Sequence, residues 1–114
     1  MAKLPNYEKA FIDPTKIRGY ILSTEHPVGR FKASLFQGIG YTKENWEKLI
    51  DDIRNYHLSL DAEPVERNKY GRKYVIKGNF KSPSGKIVML KSIWIILDGE
   101  DIPRFITIYP EGRI

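Results

Sequence analysis

His26, Arg30 and Lys32 bring an imidazole, a guanidinium and an ammonium into one short run, His26-Pro27-Val28-Gly29-Arg30-Phe31-Lys32. These groups suit a phosphodiester: an imidazole moves a proton near neutral pH, and cations hold phosphate oxygens and offset the charge of a phosphorane. Lys32 stands out by its position. Leu35, Phe36 and Ile39 follow it at helical spacing, so a helix here puts Lys32 within its own apolar stripe. Burying an unpaired ammonium costs several kcal/mol, so Lys32 must meet a carboxylate, reach the rim, or face a cleft that holds an anion.

A second cluster lies near the end of the chain, in Pro103-Arg104-Phe105-Ile106-Thr107-Ile108-Tyr109-Pro110. Read as a regular strand, it puts Phe105, Thr107 and Tyr109 on one face and Arg104, Ile106 and Ile108 on the other. Threonine and tyrosine hydroxyls donate to phosphate oxygens. If their face meets the mouth of the His26 turn, His26, Lys32 and Thr107 form a catalytic set, with Arg30, Arg104 and Tyr109 holding substrate. Such a set cleaves a phosphodiester without a metal.

Each of these residues also has a plainer reading. His26 before a proline suits a surface turn, and Lys32 suits an ion pair with a carboxylate of the third helix. His57, on a helix face with Trp46 and Ile53, reads as a histidine at the edge of the core, and Trp94 and Tyr109 read as packing aromatics. Asp51-Asp52 fall on a solvated helix face and Asp98-Gly99-Glu100-Asp101 in a turn. Neither pair has histidines at metal-ligand spacing, so no metal and no cofactor is expected. No phosphate-binding glycine loop and no nucleophile elbow is present.

The elements that must position these residues divide the chain in two. Asp13-Pro14 starts a helix with Ile17, Tyr20 and Ile21 on its apolar face, ending near Ser23. Pro27 forces a turn, a second helix runs over roughly 29–39, and Gly40 closes it in a left-handed conformation. Thr42 caps a third helix, with Tyr41 placed to staple onto Trp46; Leu49, Ile50, Ile53, His57 and Leu60 continue its core face. From Ala62 the period becomes two. Turns at 68–71, 82–85 and 98–101 leave four strands, which short connections make into an antiparallel meander. Pro64 and its charged neighbours mark the first strand as an edge, and the almost wholly apolar Ile87–Leu97 predicts a central strand covered on both faces for part of its length. Three helices followed by a meander define an α+β layer.

Composition bounds the function. The 114 residues suit one domain, 1–114, with a real core, and 41% hydrophobic with 29% charged residues argues against disorder. With no cysteine there is no disulfide, thiolate zinc site or cysteine nucleophile. The N-terminal stretch lacks a signal-peptide core, and no segment approaches the roughly 18 apolar residues of a membrane span. A cytoplasmic protein without membrane contact is the expectation. Nineteen Lys and Arg against fourteen Asp and Glu give +5, which favours polyanionic partners.

His26-Pro27-Val28-Gly29-Arg30, Lys32-Ala33, Phe36, Gly40-Tyr41, Tyr70-Gly71, Lys73-Tyr74-Val75, Trp94-Ile95-Ile96, Gly99, Pro103-Arg104 and Thr107-x-Tyr109-Pro110 together resemble an uncharacterised bacterial family. That family carries a domain-of-unknown-function label, and the resemblance spans roughly Leu4 to Pro110. Its members occur alone and at the C-terminal tips of toxin-like proteins, which implies kinship with small RNases that pack N-terminal helices on a four-stranded antiparallel sheet. No catalytic residues carry over from it. The chain departs from the pattern in the second helix, where Ser34-Leu35 and Gln37-Gly38-Ile39 stand in place of more basic or aromatic residues.

Two functions are consistent with these features. The first is a metal-independent, RNA-binding endoribonuclease of toxin-like type; the second is a non-enzymatic module whose basic surface meets a small acidic partner protein. Lys32→Met tests the first directly. The variant should fold at least as stably as the parent and bind RNA more weakly, as measured by urea unfolding and filter binding; a loss of stability of several kcal/mol would mark a structural ion pair instead.

Overall fold

The start of the first helix follows from Asp13, whose Oδ1 accepts hydrogen bonds from the Thr15 backbone N–H at 2.9 Å and the Thr15 hydroxyl at 2.8 Å. A computed structural model of the chain describes residues 2–23, 25 and 29–111, without side chains at 29–32 and 111. Helix α1 (Pro14–Lys16) widens into a π-helical turn (Ile17–Ile21), closed by the Leu22 N–H on the Ile17 carbonyl at 2.8 Å. The wider turn buries Ile17, Ile21 and Leu22 together.

Helix α2 (Gly29–Gly38) is followed by Gly40 at φ 104°, a left-handed conformation that glycine adopts without strain. A side chain there would also meet Pro83, because the Ser84 N–H bonds to the Ile39 carbonyl at 3.2 Å and seats the helix end on the β2–β3 turn. Ala33, Phe36 and Ile39 are buried, but Leu35 is 45% exposed. Leu35 sits about 100° around the helix from Phe36, which carries it off the packed face.

Thr42 and Asn45 form a capping box, with the Thr42 N–H donating to Asn45 Oδ1 at 2.7 Å. A 3-10 turn (Lys43–Asn45) leads into α3 (Trp46–Asp52) and a second π-helical turn (Ile53–His57). Tyr41, just before the cap, is fully buried. Its ring packs on Phe36 and Phe80, each at 6.2 Å between centroids, while Trp46 takes the Arg18 guanidinium at 5.4 Å.

Strands β1 (Ala62–Arg67), β2 (Gly71–Lys81), β3 (Ile87–Leu97) and β4 (Arg104–Glu111) form one antiparallel sheet in the order β1-β2-β3-β4. The α+β meander expected from the turns is therefore the fold, with β1 at an edge and β3 inside. One face of β3 is buried through Val88, Leu90, Ser92 and Trp94; Met89, Lys91, Ile93 and Ile95 on the other are half-exposed. Its apolar run thus serves one core layer and one open face rather than two covering layers. The N-terminal segment runs between the two sheet edges. The Ala62 N–H bonds to the Ala2 carbonyl at 2.8 Å beside β1, and Phe11 bridges Arg104 of β4 through hydrogen bonds of 2.8 and 2.9 Å.

The alternation expected along β4 is broken by a bulge. Thr107 lies opposite Ile93, and Phe105, not Ile106, lies opposite Trp94. Ile106 is the extra residue, so the strand's faces exchange there. Phe105 joins the core edge-on to Trp94 at 5.4 Å, Ile108 is buried, and Thr107 and Tyr109 turn to the opposite face. The Lys16 ammonium donates to the Phe105 carbonyl at 3.1 Å beside the bulge.

His57 lies fully buried between the second π-helical turn and the sheet. Its Nε2 is 2.6 Å from Ser92 Oγ, which also accepts the Trp94 indole N–H at 2.8 Å. Its Nδ1 has no partner among the described residues. Protonation would bury an unsolvated cation, and burial accordingly pushes the His57 pKa down to about 4. The unfolded chain then binds more protons than the folded one between that value and about 6.5. Stability should be full above pH 6.5, fall by about 3 kcal/mol as the pH drops to 4, and owe nothing further to His57 below that. Urea unfolding of the parent and of His57→Leu across this range checks it: their difference should shrink as the pH falls.

Candidate functional site

The sheet face turned away from the helices is ordered by strand register into three rows. Lys73, Ile95 and Arg104 form the first, Val75, Ile93 and Thr107 the second, and Lys77, Lys91 and Tyr109 the third. Rows lie about 6.8 Å apart and neighbouring strands about 4.8 Å apart. Aliphatic side chains fill the middle, cations occupy the outer rows, and two hydroxyls line the β4 side. The Lys91 ammonium lies over the Tyr109 ring at 5.9 Å. Lys73, Lys77, Lys91 and Arg104 thus place four cations on this face, Arg104 in an ion pair with Glu100.

Of the residues singled out in the sequence, Thr107, Tyr109 and Arg104 share this face. Sequence alternation put Arg104 opposite the other two; the Ile106 bulge brings all three together. Arg30 and Lys32 belong to the start of α2, which packs against β4 and against the π-helical turn of α1. Their side chains, and His26 altogether, lie outside the described residues. Lys73 and Lys77 extend the basic surface, whereas Lys69 stacks on Tyr70 at 5.1 Å and Arg72 bonds to the Val65 carbonyl at 3.1 Å.

Arg104 is held by two neighbours within the fold. Its Nε and a terminal nitrogen donate to the two Glu100 oxygens at 3.0 and 3.2 Å, and its guanidinium lies 5.9 Å from the Phe11 ring centre. These hydrogen bonds hold the Glu100 carboxyl below its ordinary range.

A second polar centre was not legible in the sequence. Asp52, expected on a solvated face with Asp51, is buried; only Asp51 is exposed. The Tyr41 hydroxyl donates to Asp52 at 2.6 Å and the Lys48 ammonium at 3.1 Å. Burial beside this carboxylate raises the Tyr41 pKa, so the phenol stays a donor. Among the described residues, no three His, Cys, Asp or Glu side chains lie close enough to hold a metal ion.

A family model described as Domain of unknown function (DUF6883) matches residues 3–112. The chain is a DUF6883 domain. The match agrees with the extent and the uncharacterised status that the sequence motifs imply. No curated protein shows significant similarity to it. A chain of the solved "Contact-dependent growth inhibition toxin - immunity protein complex from Klebsiella pneumoniae 342" superimposes with a TM-score of 0.58 at 18% identity, covering 88% of the DUF6883 chain and 98% of its own. At that identity the likeness shows a shared fold. Among the described residues, no helix of the DUF6883 chain is long and apolar enough to cross a membrane.

The Asp52 centre carries a direct test. Tyr41→Phe keeps the ring packing and removes the hydroxyl, leaving a buried carboxylate one donor short, so stability should fall by about 1–3 kcal/mol. Chemical denaturation measures it. An unchanged midpoint would show that Asp52 reaches solvent.

Proposed function

We propose that this DUF6883 domain is a toxin-type endoribonuclease that works without a metal ion and binds RNA across its open sheet face. The observation that carries the reading is the placement of Lys73, Lys77, Lys91 and Arg104 on one face with the Thr107 and Tyr109 hydroxyls. Two further facts support it. Helix α2, which opens just after His26 and carries Arg30 and Lys32, packs on the strand that holds those hydroxyls. The fold is shared with a chain of a toxin–immunity protein complex.

In this reading the phosphate lies near Thr107. His26 takes the proton of a ribose 2′-hydroxyl, whose oxygen attacks phosphorus; Lys32 and Arg30 balance the charge of the phosphorane. The bond to the 5′-oxygen then breaks, and that oxygen takes up a proton as it leaves. The products are a 2′,3′-cyclic phosphate and a 5′-hydroxyl. A second reading, a non-catalytic module that meets a small acidic protein through the same face, is favoured by the partner protein in the neighbour's complex.

Purified protein with mixed tRNA separates the two. Cleavage should survive EDTA, leave cyclic phosphate ends and depend on a group titrating near pH 6–7. His26→Ala should lower the rate at least about a hundredfold. RNA affinity should fall steeply between about 50 and 200 mM salt. Absent cleavage, or a fully active His26→Ala variant, would overturn the nuclease reading; if RNA binding is absent too, the interaction module stands.

A further inference from the structure

Phe11 is a large apolar side chain that the fold leaves 48% exposed yet holds fast. Its own N–H bonds to the Pro103 carbonyl at 2.8 Å and its carbonyl accepts the Phe105 N–H at 2.9 Å, so it sits as a one-residue extension beside β4. The Asn6 side-chain amide donates to the Asp101 carbonyl at 2.8 Å and ties the same segment to the β3–β4 turn. Between Phe11 and that turn is a recess lined by Gly99, Glu100, Asp101, Ile102 and Arg104. The recess therefore combines the Phe11 ring, the Arg104 guanidinium that lies over it and is paired with Glu100, and the carboxylate of Asp101.

Those are the parts of a stacking site with a polar edge. Aromatic and guanidinium planes stack on a nucleobase and hold it without regard to sequence. Carboxylates accept hydrogen bonds and donate none, so they favour a base edge rich in N–H groups. Guanine presents an imino and an amino group side by side, adenine and cytosine an amino group, and uracil a single imino N–H. The recess also lies at the right place. Arg104 and Thr107 face Ile95 and Ile93, two residues apart on β3, so their rows are about 6.8 Å apart. That is the reach from a phosphate to the base of the adjoining nucleotide.

Resting on the nuclease reading, we infer that the recess between Phe11 and the β3–β4 turn is a nucleobase subsite next to the phosphate-binding rows, with a preference for guanine. Phe11 supplies the stacking plane, Arg104 lies over the ring and pins Glu100, and Glu100 with Asp101 reads the base edge. The lysines of the third row then bind any RNA, and the recess selects where along the strand the phosphate is presented.

Calorimetry of the full chain with the four ribonucleoside 3′,5′-bisphosphates tests this separately from cleavage. The guanosine compound should bind about tenfold more tightly than the uridine compound, a difference of about 1.4 kcal/mol. Phe11→Leu, which keeps an apolar side chain and the backbone pairing, should reduce that ratio to within about twofold, while Phe11→Trp should preserve it. Lys77→Ala with Lys91→Ala should weaken all four compounds alike. Equal binding of the four by the parent, or an unchanged ratio in Phe11→Leu, overturns the subsite, and the nuclease reading survives if tRNA is still cleaved. If none of the four binds and tRNA is neither bound nor cleaved, both readings fail.

Discussion

Ile106 is one residue too many for the β3–β4 ladder, and the chemistry of the sheet depends on it. A strand with strict alternation would put Phe105 and Thr107 on the same side. Either the phenylalanine would leave the core or the threonine would enter it. The bulge lets Phe105 close on Trp94 while Thr107 and Tyr109 join Arg104 outside. It also bends β4 beside the Lys16 ammonium, which takes up the Phe105 carbonyl. Core packing and surface chemistry are thus compatible on one eight-residue strand only because the ladder slips once.

The core on the other side is apolar except where it is bound together by hydrogen bonds. His57, Ser92 and Trp94 link the end of α3's π-helical turn to the middle of β3, and Tyr41 and Asp52 link the loop before α3 to its last turn. Both groups lie where helices meet the sheet. They set the depth at which α3 sits, because a shift would strand a buried donor or carboxylate. The neutral state of His57 belongs to the same constraint: the histidine is tolerated there only without its charge.

Much of this architecture was readable from residue types. Asp13-Pro14, Gly40 and Thr42 mark helix ends through local hydrogen bonds and backbone freedom, and such signals act over four or five residues, so they survive the absence of a structure. The meander follows from short turns for the same reason. What escaped was long-range. A bulge centred on an isoleucine leaves no glycine to announce it, so Arg104 was assigned to the wrong side of β4. Asp52 looked solvated because its partner Tyr41 is eleven residues away. Phe11, which completes the recess, reads as an ordinary loop phenylalanine until its pairing with Arg104 brings it beside the turn.

The N-terminal segment has one more consequence. It occupies backbone positions at both borders of the sheet, pairing Ala2 with Ala62 and Phe11 with Pro103 and Phe105. Beyond Ala62 the outer strand continues with Pro64, which has no N–H to offer, and with Glu63, Glu66 and Arg67. A visiting peptide that sought to lengthen the sheet would find the Ala62 and Phe105 amides already taken, no N–H at Pro64 and a fence of charge along β1. The borders of this sheet are therefore poor templates for backbone pairing, the indiscriminate route by which sheets aggregate.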